Sequence, residues 1–111
     1  MNNLFTYVSA IKFGSEKYSI EHQELHDRSY YDEDMYIDSK EKVVHFSNGV
    51  VLKEHVEFDS EQSNDLDICP ECWITYQVIE QPEGVSIRPN KKSFISRCQE
   101  SFWLKMNLAQ Q

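Results

Sequence analysis

"KVVHFSNGVVLKEHVEF", residues 42–58, decides the fold, because it sets a turn signal between two runs of β-branched and apolar residues. With Ser47-Asn48-Gly49 as a three-residue loop and Gly49 left-handed, Val44 and Phe46 share a face with Val50, Leu52, Val56 and Phe58. Lys42 then falls opposite Glu54. A two-residue Asn48-Gly49 loop would mix Val, Lys, Glu and His on both faces, since a one-residue slip turns every side chain over. The pattern therefore selects the longer loop and a hairpin with one apolar face.

The same turn chemistry recurs in "VIEQPEGVSI", residues 78–87, where Pro82 pre-sets the turn and Gly84 closes it. This predicts a second hairpin with Ile79 opposite Ile87. Upstream, "LFTYVSAIKFG" (residues 4–14) places Phe5, Tyr7, Ile11 and Phe13 at period two and ends at Gly14, which reads as a strand. In "SEKYSIEHQELH" (residues 15–26), Tyr18 and Ile20 continue the alternation and Leu25 breaks it, predicting strand, then loop. "SFISRCQESFWLKMNLA" (residues 93–109) fits both periods: helical spacing groups Phe94, Ile95, Cys98, Phe102, Met106 and Ala109, and strand spacing groups Phe94, Cys98, Phe102, Leu104 and Met106. Its length, with Ser93 available as an N-cap, selects the helix. The expected class is α+β: one globular domain over residues 1–111, an antiparallel sheet built from hairpins turning at Ser47–Gly49 and Pro82–Gly84, with a C-terminal helix.

The 111 residues suffice for one real core without a stapling disulfide or metal, and six Phe, six Tyr and two Trp supply large areas to bury. No apolar run approaches the roughly 20 residues that cross a bilayer. Val8-Ser9-Ala10 mimics a signal cleavage site but has no apolar stretch of signal length before it, so the chain is expected to be cytoplasmic. An odd count of three cysteines agrees, and free thiols are the expectation.

Nineteen acids against eleven Lys and Arg give a net charge of −8, which opposes direct binding to nucleic-acid phosphates and favours a basic partner. The balance is uneven: residues 1–84 carry eighteen acids and six bases, net −12, and residues 85–111 carry one acid and five bases, net +4.

Cys69-Pro70-Glu71-Cys72 has the spacing of a zinc knuckle, but a closed site needs two more ligands. Cys98 is the one cysteine left, a histidine or carboxylate would have to be fourth, and bulky Trp73 follows where a knuckle wants a small residue. His45 and His55 cannot both contribute, because the hairpin register sets them about 13 Å apart. A redox pair is disfavoured too: the β-rich "WITYQVIE" follows instead of a helix, and Asp65, Asp67 and Glu71 would raise a thiol pKa. The preferred reading has Pro70 turning the chain into a strand carrying two partly buried thiols. A zinc-stabilised module organised by Cys69, Cys72 and Cys98 is the alternative.

"IEHQELHD" sets His22 and His26 at i, i+4, yet Glu24 sits between them where peptidase motifs place glutamate beside a histidine. "DSEQSNDLD" (Asp59–Asp67) alternates acids like a calcium loop, but Asn64 replaces the required Gly and Pro70 the bidentate Glu. With no phosphate loop and no nucleophile–base order, no catalytic residue is predicted, and neither is an enzyme.

What remains is an acidic, tyrosine-rich surface. "YYDEDMYID" interleaves Tyr30, Tyr31 and Tyr36 with Asp32, Glu33, Asp34 and Asp38, and residues 54–71 hold seven acids, among them Asp59, Glu61, Asp65 and Asp67, with no Lys or Arg. Carboxylates attract a basic cleft over distance and occupy positions that phosphates would take, and tyrosines add rigid contact area. The expected function is a binding or inhibitor protein that neutralises a basic partner, without cofactor, nucleic acid or membrane. An immunity protein for a nuclease toxin, or a phage-encoded nucleic-acid mimic that inhibits a nucleic-acid-binding defence complex, has this character.

Overall fold

The alternation around Gly49 builds the centre of an antiparallel sheet. The computed structural model describes residues 2–59 and 71–109. In chain order these form β1 (Asn2–Asn3), α1 (Leu4–Phe13), β2 (Ile20–Asp27), β3 (Tyr30–Asp32), β4 (Met35–Phe46), β5 (Val51–Asp59), β6 (Glu71–Glu80), β7 (Ile87–Arg88), β8 (Lys91–Ser96) and α2 (Arg97–Ala109). The main sheet runs β2-β4-β5-β6-β8, with β3 also on β4, and β1 pairs separately with β7 in parallel. The architecture is α+β, an antiparallel sheet with a C-terminal helix, as the sequence predicts.

The predicted register of the first hairpin holds. Lys42 pairs with Glu54 and Val44 with Leu52. The Phe46 amide donates to the Val50 carbonyl at 2.8 Å and Gly49 adopts φ +97°, so the loop is Ser47-Asn48-Gly49. Asn48 braces it, accepting from the Val50 amide at 3.2 Å and donating to the Tyr7 hydroxyl at 3.0 Å.

One face of the sheet is closed by the two helices. Val44, Phe46, Val50, Leu52, Val56, Ile74, Tyr76 and Phe94 are buried there against Leu4, Phe5, Tyr7 and Val8 of α1 and Leu104 of α2. Aromatic rings knit the layers: Trp103 lies 5.8 Å from Phe5 and 5.3 Å from Phe94, and Tyr7 lies 5.0 Å from Phe46. Burial of this many large apolar side chains, each contributing about 1.5–3 kcal/mol, is the main force holding helices to sheet.

Four local readings are corrected. Residues 4–13 are a helix, not a strand. The period-two reading omitted Leu4, Val8 and Ala10, which are buried, and assigned an apolar face to Phe13, which is 65% exposed. Leu4, Tyr7, Val8 and Ile11 follow helical spacing, Asn3 caps the start by accepting from the Phe5 amide at 2.9 Å, and Gly14 at φ +85° ends the helix. Next, strand and loop are reversed in residues 15–27: the strand is Ile20–Asp27, an edge strand whose Leu25 is largely exposed.

The turn at Pro82–Gly84 forms, with the Val85 amide donating to the Pro82 carbonyl at 3.1 Å, but the flanking register differs from the prediction. Gln77 pairs with Lys91, so Ile79 does not face Ile87. Ile87 instead leaves the main sheet to pair with Asn2 and becomes buried, leaving Ile79 exposed. Finally, the ambiguous C-terminal segment is both elements in turn. Ser93 and Phe94 belong to β8, and α2 begins at Arg97 with Ser96 as its cap, accepting from the Gln99 amide at 3.2 Å. No helix among the described residues is long and apolar enough to cross a membrane.

Candidate functional site

The register of β2 and β3 along β4 is continuous, Asp27 opposite Lys40 and Tyr30 opposite Ile37, so the two strands are one edge interrupted at Arg28-Ser29. β3 and β4 form a hairpin: Tyr31 pairs with Tyr36, Asp32 with Met35, and Glu33-Asp34 make the turn. This gathers five of the predicted residues, Tyr30, Tyr31, Asp32, Glu33 and Asp34, in one exposed tip. Three consecutive carboxylates concentrate negative potential there. Glu33 sits at φ +59°, a left-handed conformation unfavourable for a side chain with a Cβ by about 1–2 kcal/mol.

The tyrosines of the tip have different roles. Tyr31 is 72% exposed, its ring 5.2 Å from that of half-buried Tyr36. Tyr30 reaches across the sheet and donates to Glu57 Oε1 at 3.0 Å, a bond that raises its phenol pKa above the ordinary value. Asp38 belongs to the hairpin stem, half-buried, with Oδ1 3.6 Å from Lys40 Nζ, too long for a hydrogen bond. Asp59 ends β5 opposite Ile37, one strand beyond Tyr30. The remaining predicted acids, Glu61, Asp65 and Asp67, lie outside the described residues.

Of the "CPEC" cysteines, Cys69 lies outside the described residues and Cys72 opens the core-facing side of β6 as a buried free thiol. Burial, opposed by the Arg97 charge, pushes the Cys72 thiol up, the direction that favours an inert small apolar side chain over a nucleophile. Cys98 is disulfide-bonded, contrary to the expectation of free thiols throughout, and in that state supplies no thiolate to a metal.

Two further clusters were not visible in the sequence. On the helix-covered side, Glu100 of α2 is 4% exposed and accepts from the Tyr76 hydroxyl at 2.6 Å and from Arg97 at 3.2 Å, with Lys12 of α1 at 3.5 Å. Burial, the nearby Glu54 charge and the bond to Glu100 push the Tyr76 phenol far up, so it stays neutral. This network ties α1, α2 and β6 together around a buried carboxylate, with Arg97 half exposed at its rim. On the open side, β-sheet alternation collects all four histidines: His22 and His26 from β2, His45 from β4 and His55 from β5. His55 Nε2 is 2.7 Å from Ser39 Oγ, and His22 faces His45 with ring centroids 5.4 Å apart. Exposed Trp73 and Ile95 share this face.

Comparison with protein-family models, with curated proteins and with solved structures gives no match.

Proposed function

We propose that the chain is a non-enzymatic binding protein that neutralises a basic protein partner, and that the β3–β4 tip leads the encounter. The observation that carries this reading is the exposed run Asp32-Glu33-Asp34 beside exposed Tyr31 at the turn of the β3–β4 hairpin. Projecting carboxylates enter a basic cleft before the rest of the surface arrives, and an exposed tyrosine beside them offers contact area with few rotors to freeze. The bulk charge of −8 supplies the longer-range attraction. Among the described residues, the C-terminal base that forms an ion pair is Arg97, with Glu100 of its own helix, so this pairing leaves the acidic surplus of the tip untouched.

A basic cleft suited to such a tip is one that normally holds phosphates. This favours a nuclease toxin, with the chain as its immunity protein, or a nucleic-acid-binding defence complex, with the chain as a phage-encoded inhibitor. The test starts from affinity capture in the native host, followed by association kinetics on the basic protein retained. Reversing Asp32, Glu33 and Asp34 to Lys should slow association at least about tenfold at low salt, with a smaller change in dissociation and an unaltered fold. Capture of no basic protein, or association indifferent to both salt and charge reversal, would falsify the reading.

A further inference from the structure

The open face of the sheet carries a second, independent feature. His22 and His26 have the spacing of a zinc pair on a helix, but they lie on a strand, which sets them about 13 Å apart on one face. They cannot share an ion. The strand instead places Glu24 on the same face as His22, two residues along, and β4 delivers His45 directly opposite His22.

Two of the three spacings among these groups are near those of ligands to one ion. Two imidazoles bonded to a tetrahedral ion at about 2.05 Å put their ring centroids about 5.2 Å apart. The His22 and His45 centroids are 5.4 Å apart. Donor atoms of such a site are separated by about 3.4 Å. His45 Nε2 and Glu24 Oε2 are 3.6 Å apart.

As the side chains stand, no three such groups among the described residues are placed to hold an ion. The remaining adjustment is a side-chain rotation of His22 and Glu24, both exposed and free to turn. An exposed His45–Glu24 ion pair by itself contributes little, and the strand register that sets His22 opposite His45 brings a second imidazole beside it.

We propose that His22, Glu24 and His45 form a zinc site on the open face, with a fourth position left to water or to a donor from outside the chain. Two nitrogens and one carboxylate oxygen suit zinc, and copper or nickel would compete for the same donors. The site does not depend on the acidic tip having a partner, nor on the cysteines.

Isothermal titration of the intact chain, its Cys98 disulfide left oxidised, with zinc chloride in a non-chelating buffer without reductant tests this. One zinc should bind per chain at micromolar concentration. His22→Ala and His45→Ala should each weaken binding at least about tenfold, Glu24→Gln by less, and His26→Ala and His55→Ala should leave it within about twofold. Histidine ring resonances should identify His22 and His45 as the rings that shift on zinc addition, a readout that remains if one variant folds poorly. Absence of saturable binding would overturn the proposal. So would binding that survives the His22→Ala/His45→Ala double variant, or that is lost in Cys72→Ser.

Discussion

Replacing Tyr76 with Phe removes one hydroxyl from the network joining both helices to the sheet, and its effect can be worked from the geometry. The hydroxyl donates to Glu100 Oε2 at 2.6 Å, and that carboxylate is 4% exposed, so the lost bond is charge-assisted and out of water. Such bonds contribute about 1.5–3 kcal/mol. Arg97 and Lys12 still hold Oε1 at 3.2 and 3.5 Å, so only one oxygen is orphaned. The expected loss is therefore mid-range, about 2 kcal/mol. Glu100→Ala removes the acceptor of the Tyr76 hydroxyl and the partner of Lys12 and Arg97, both of which still reach water, and should cost about 2–3 kcal/mol. Adding Tyr76→Phe to Glu100→Ala should then cost almost nothing, because the hydroxyl has already lost its acceptor, giving a coupling energy of about 2 kcal/mol. Urea denaturation followed by circular dichroism measures each corner of the cycle, and the melting temperature should drop about 4 °C per kcal/mol at this chain length. A Tyr76→Phe loss below about 0.5 kcal/mol, or additive single variants, would refute the network as an energetic unit.

Other outcomes follow from single features. Gly49→Val should destabilise by about 1–3 kcal/mol in the same denaturation assay, from the φ of +97° and not from crowding, since an added Cβ meets Pro82 at an ordinary 3.5 Å. Glu33→Gly should raise stability by about 0.5–1 kcal/mol by relieving the left-handed turn, the gain being reduced by the freer unfolded chain. Because the folded-state pKa of Tyr76 is raised, its neutral form stabilises the fold fully below the unfolded value of 10.0, and this contribution falls as pH rises beyond that. Stability should thus decline above about pH 10 by up to about 1.4 kcal/mol per pH unit for this one group, and Tyr76→Phe should flatten that part of the profile in alkaline denaturation.

The central hairpin was legible because turn and alternation agree: a glycine at the loop end and apolar residues on even positions admit one register. The N-terminal segment misled because a short apolar run fits both periods, and odd-numbered Phe5, Tyr7 and Ile11 hid the helical set Leu4, Tyr7, Val8 and Ile11. Competition between Asn3 as a cap and a strand start is settled by what the segment packs on, namely Phe46 and Trp103, both far along the chain. In the C-terminal segment both periods were real, with Ser96 and not Ser93 at the junction. Ile87 was misplaced because its burial comes from pairing with Asn2, a contact that no local pattern encodes.

The candidate sites divide along the same line. Asp32, Glu33 and Asp34 are contiguous, so their joint exposure at a tip needed only the turn between Asp32 and Met35 to become apparent. His22, Glu24 and His45 come together only when β2 lies against β4, and the four-residue spacing of His22 and His26 pointed to a helix that does not form. A sheet with one closed face also explains why chemistry-bearing side chains gather where they do. Alternation sends every second residue of β2, β4, β5, β6 and β8 away from the helices, where a polar side chain needs no partner to be tolerated. Polar groups on the closed face must be satisfied internally, as Tyr76 and Glu100 are, and that demand leaves them no capacity for a ligand. The histidines of the open face, placed by strand register on a surface that water reaches, keep theirs.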